Sequence, residues 1–85
     1  MEIEQRAIES SLLLDKILCQ MIDEQRALLL KIGRRIVPRL TSDDILQPND
    51  YLELENDPHF RYEEGVLAGL QSVQIALLFE NKKNI

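Results

Sequence analysis

The sequence predicts an all-α fold: an antiparallel helical hairpin with a long N-terminal helix, a partly helical connector and a shorter C-terminal helix. Three observations predict it. From Glu2 to Val37 there is no proline and only one glycine, Gly33, and apolar residues recur at helical spacing. Asp57-Pro58 is a strong helix-start signal ahead of a second such stretch, because Asp caps well and Pro suits the first helical position. No segment shows the period-two alternation of a half-buried strand.

The long helix is predicted over residues 2–37, about 50 Å at the helical rise. Its main stripe runs Ile3, Ala7, Leu14, Leu18, Met21, Leu28, Ile32 and Ile36, widened by Ile17, Ile22 and Leu29, and is expected to be core. Ile8, Leu12, Cys19, Leu30 and Val37 cluster on a second arc. One neighbouring helix needs one arc, so the second predicts a further helix of this chain, self-association or a partner.

Pro38 ends the helix, since it lacks an amide hydrogen and disfavours helical geometry at Val37. The connector, residues 38–57, holds a capping sequence at Thr41-Ser42-Asp43-Asp44 that predicts a helical turn near 42–47, broken by Pro48-Asn49-Asp50. Tyr51, Leu52 and Leu54 are candidates to fold it back onto the helices. The last helix is predicted over 58–81, with Glu63 and Glu64 near its positive end and Lys82 and Lys83 at its negative end. It carries an apolar stripe, Tyr62, Val66, Leu70, Val73 and Leu77, beside a small-residue stripe, Gly65, Gly69, Ser72 and Ala76.

An 85-residue chain forms a single domain burying only about 60 to 65% of its unfolded surface, so a partner or oligomerisation is expected to complete the core. The composition, 45% hydrophobic and 29% charged, is that of a folded soluble chain. Net charge is −5, unevenly spread: seven basic residues face six acids up to Leu40, and three face nine beyond it. The acidic middle argues against generic attraction to nucleic acid or anionic membrane. The uncharged run Gly65 to Phe79 is too short for a membrane span and includes Gln71, Ser72 and Gln74. A lone cysteine and the absence of a secretory pattern predict a cytoplasmic protein.

Glycine costs a helix interior about 1 kcal/mol relative to alanine, so Gly65 and Gly69 predict close approach of another backbone, from this chain or a partner. Phosphate binding is excluded: they lie inside the helix and follow two glutamates. His59 is the single histidine and could share a helix face with Glu63, but a specific zinc site needs three or four ligands, so no metal or cofactor is expected. The acids around Asp50 to Asp57 lack the spacing of a calcium loop. Cys19, among apolar residues with no histidine near in sequence, reads as buried packing rather than a nucleophile. No catalytic residues are assigned.

Lys31, Arg34, Arg35 and Arg39 form the basic cluster. They suit a helix C-terminus and the chain's own acidic connector, or could grip an acidic partner or a nucleic-acid backbone, although no aromatic residue is interleaved. In size and architecture the chain resembles small helical-hairpin co-chaperones and adaptors that shield a partner's apolar helix, including those of bacterial secretion systems. The expected function is a non-enzymatic interaction module, a homodimer or an adaptor, working through Ile8, Leu12, Cys19, Leu30 and Val37 and the small stripe Gly65, Gly69, Ser72 and Ala76. The alternative is a dimeric nucleic-acid-binding regulator using the basic cluster.

Overall fold

The computed structural model describes residues 2–83, apart from the side chains of residues 49 and 81–83. Three α-helices, α1 (Glu2–Ile36), α2 (Leu52–Glu55) and α3 (Pro58–Lys83), are joined through two 3-10 turns at Asp44–Leu46 and Pro48–Asp50. The fold is an all-α hairpin. Its two long helices are antiparallel: Gly33 lies beside Phe60, Gln25 beside Glu63 and Cys19 beside Gln74. The molecule is a rod of 54 × 19 × 19 Å, and its length is that of α1 alone at about 1.5 Å per residue.

α1 ends at Ile36 and α3 spans Pro58–Lys83, while Pro48–Asp50, expected to break the connector's helical turn, forms a second turn of its own. α1 stops before Pro38, and the Val37 amide still donates to the Gly33 carbonyl at 2.7 Å. The connector then turns at once: Leu40 N–H donates to the Val37 carbonyl, and Arg34 Nε donates to the Leu40 carbonyl at 2.9 Å. Thr41 and Asp44 cap one another, with Thr41 N–H donating to Asp44 Oδ2 at 2.9 Å and Asp44 N–H to Thr41 Oγ1 at 3.3 Å. At α3, Asp57 Oδ1 accepts the Phe60 amide at 2.8 Å, the cap its sequence predicts. The expected role of Lys82 and Lys83 at the helix end concerns side chains outside those described.

Leu18, Ile22, Leu29, Ile32, Leu40, Ile45, Leu54, Phe60 and Leu67 are the buried apolar residues. Most lie at one end, where the connector closes over α1 and α3. Leu54 packs the connector down as predicted and Tyr51 is half-buried, whereas Leu52 is exposed. Gly33 is what lets this end close. A Cβ there would collide with the Leu40 side chain and stand 3.4 Å from Phe60.

The core line of α1 departs from the predicted stripe. Leu18, Ile22, Leu29 and Ile32 are buried and Ile36 half-buried, but Ile3, Ala7, Leu14, Ile17, Met21 and Leu28 are exposed. The buried residues all belong to the predicted set, but their line is rotated from its centre by roughly 40° about the helix axis. The cause is Gly33, which lies on that line and admits Leu40 and Phe60. On α3, Phe60 and Leu67 are the buried side chains among those described; of its apolar stripe, Leu70 and Leu77 are half-buried and Tyr62, Val66 and Val73 face solvent.

Candidate functional site

α3 lies along the middle of a wide apolar arc on α1, and the hairpin therefore has two unlike sides. On one side Leu14, Ile17, Met21 and Leu28 follow each other at spacings of three, four and seven, one row of a helix. On α3 the residues turned the same way are Tyr62, Val66, Leu70, Val73 and Leu77, also at three and four. Exposure is 47% at Leu14, 45% at Ile17 and Met21, and 50% at Val73. Two parallel rows of apolar side chains thus form one continuous face, two helices wide.

A polar clasp enters this face near its connector end. Gln25 Nε2 donates to the Glu63 carbonyl at 2.9 Å and to Glu63 Oε2 at 2.7 Å, and both residues are half-buried. His59 Nε2 stands 3.9 Å from the other carboxylate oxygen of Glu63. With its own partners in place, the pair needs nothing from outside. His59 itself is an exposed first-turn residue, and among the described residues no group of three or more His, Cys, Asp or Glu could hold a metal ion.

The opposite side carries a groove of about 470 Å³ under the connector. Leu30, Ile45 and Leu67 lie among its apolar lining, while Asp23, Arg26, Glu64 and Gln71 contribute polar groups. Neither His59 nor Cys19 lines it.

The sequence-predicted interface residues divide among these regions. Ile8, Leu12 and Cys19 are exposed, on the groove side of α1. Leu30 and Val37, from the same arc, instead pack half-buried against the core, because the connector returns over this end of the helix. Cys19 is exposed rather than buried; its sulfur accepts from Gln74 Nε2 at 3.6 Å. Gly65, Gly69, Ser72 and Ala76 face solvent, on the side of α3 turned away from α1. No atom of another element lies within 4 Å of a Cβ built at Gly65 or Gly69, so the close approach within this chain does not occur there. The close-approach glycine is Gly33. Its signal in the sequence is a lone glycine on the apolar line between Leu29 and Ile36, five residues before Pro38.

Lys31, Arg34, Arg35 and Arg39 are all exposed on the outer side of the closed end. Among the described residues they form no ion pair with the connector's acids; Arg34 serves as a cap for the turn through the Leu40 carbonyl. Among the described residues no helix is long and apolar enough to cross a membrane. The face of Leu14, Ile17, Met21 and Leu28 with Tyr62, Val66 and Val73 is not legible as a surface in the sequence, because the α1 residues have core spacing and the α3 stripe carries no sign of what it faces. No family model, curated protein or solved structure matches this chain, so the functional reading rests on these surfaces.

Proposed function

We propose that this chain is a non-enzymatic helical interaction module, a small cytoplasmic adaptor or co-chaperone-like protein that binds protein through apolar helix surface. The observation that carries this reading is the continuous apolar face of α1 and α3. A solvated helix normally turns one apolar stripe inward and a polar face outward. Here side chains such as Ile17, Met21 and Val73 are about half exposed, next to one another, on two helices. Contiguous apolar surface of this kind marks protein–protein contact in soluble chains. The driving force is burial of apolar area at about 25 cal/mol per Å², before the costs of association.

The test is site-specific photo-crosslinking in cells that make the protein. A photoreactive side chain replacing Ile17 should give discrete protein adducts, and one replacing Ser72 should give few. If Ile17 yields no protein adduct above the Ser72 background, the face is not a protein-binding surface and the reading fails.

A further inference from the structure

We infer that the occupant of this face is a second copy of the same chain, so that two hairpins pack face to face as a four-helix assembly. The inference rests on the interaction-module reading and names its partner. Area is the first argument. The exposed parts of Leu14, Ile17, Met21, Leu28, Val66 and Val73, with Tyr62 at the margin, amount to on the order of 600 Å² per copy, within reach of the ~800 Å² per partner of a standard specific interface once the half-buried Leu70 and Leu77 and the flanking polar residues are added.

Width is the second. A single foreign helix, about 10 Å across, would settle in the valley between α1 and α3 and touch Leu14, Leu70 and Leu77. Ile17, Leu28 and Val73 project from the crests of the two helices, and a partner two helices wide is needed to cover them. Another hairpin has that width.

The third argument is that the face matches itself. Leu14 to Leu28 spans about 21 Å and Tyr62 to Leu77 about 22 Å, so a twofold rotation lays either row against either row without overhang. The spacing of three and four along each row is that of helices packed at about 20° in a four-helix bundle. Charge permits the same arrangement. The chain carries a net charge of −5, yet the apolar side chains of the two rows are uncharged; the carboxylates nearest them are Glu24, exposed between Met21 and Leu28, and Glu63, half-buried and hydrogen-bonded to Gln25.

Light scattering on the purified full chain tests this. The wild-type protein should have twice the chain mass. Met21→Glu and Val73→Glu should each bring it to the chain mass with helicity retained, weakening association by roughly a hundredfold or more, because a carboxylate would be buried at the interface. Ala76→Glu, on the solvent-facing small stripe, should leave the dimer intact. If either glutamate variant loses helicity, Met21→Gln and Val73→Thr replace them and should still lower the dimer fraction. A wild-type chain of single mass overturns the inference, as does a dimer indifferent to these substitutions. A single-mass chain that still crosslinks through Ile17 to a different protein would overturn self-association while leaving the interaction-module reading in place.

Discussion

The two ends of this hairpin are built from the same two helices and meet opposite fates. At the closed end Leu29, Ile32, Leu40, Ile45, Leu54 and Phe60 are buried beneath the connector, and Gly33 removes a side chain so that they fit. At the open end residues 2–17 of α1 include no buried side chain, although Ile3, Ile8, Leu12, Leu13, Leu14 and Ile17 are among them. Past Leu67, α3 likewise holds none up to residue 80. The composition of the two ends is similar. What differs is whether a third element comes back over the pair, which shows that one helix contact covers too little of a helix to shelter an apolar arc this wide.

The comparison breaks if truncation costs the same at both ends. Phe60→Ala should cost about 3 to 5 kcal/mol, a large share of the stability of a small domain, because it empties the centre of the closed end. Leu12→Ala, at a residue 63% exposed and off the two-helix apolar face, should cost no more than about 0.5 kcal/mol. Urea unfolding followed by circular dichroism gives both values. Equal costs would mean that the open end is covered on the Leu12 side as well.

The glycines sharpen the same contrast. Gly33→Ala adds a methyl where Leu40 already stands, so despite alanine's better helix propensity it should destabilise by about 1 to 3 kcal/mol. Gly65→Ala and Gly69→Ala meet open space and should each stabilise by about 0.5 to 1 kcal/mol. Thermal unfolding of the three variants decides it. A loss at Gly65 or Gly69 would reveal a backbone from another molecule pressed against that side of α3.

The smallest expected effect is on pH. The Thr41 amide, then the Thr41 hydroxyl group, holds the Asp44 carboxyl below its ordinary value of 3.8. A carboxyl depressed on folding contributes stability that is present above its unfolded value and is lost as pH falls through the lowered folded value. Acid unfolding below about pH 4 should therefore weaken the connector's first turn, and Asp44→Asn should flatten that limb of a stability-against-pH curve. Half-buried Tyr51 works in the other direction. Burial, and next the Asp44 charge, push its phenol above its ordinary 10.0, so its contribution is lost as pH rises beyond that point.

Element ends were legible in the sequence because they are written in local chemistry. Pro38 removes a donor, Asp57 caps the Phe60 amide, and Thr41 and Asp44 satisfy one another, all within a few residues. The facing of α1 was not legible. Its apolar residues occupy an arc broader than one contact needs, so periodicity alone permits several rotations. The choice among them was made by residues distant in sequence, Leu40 and Phe60 seating at Gly33. The candidate face was hidden for the same reason: Leu14, Met21 and Val73 have the spacing of a core, and their exposure follows only once that rotation is known.

The Gln25–Glu63 clasp has a consequence for how the two helices find their place. Ridges of leucine and isoleucine repeat every turn, so a hairpin held by them alone could slide by about 5.4 Å and interlock again. The clasp forbids it. One turn along α3 in either direction Gln25 would meet Leu67 or His59, which offer a backbone carbonyl but no carboxylate, and losing a hydrogen bond to a charged group costs about 1.5 to 3 kcal/mol. The polar pair acts as a second vernier mark beside the seat of Phe60 at Gly33, and the apolar rows on the surface inherit their alignment from the two.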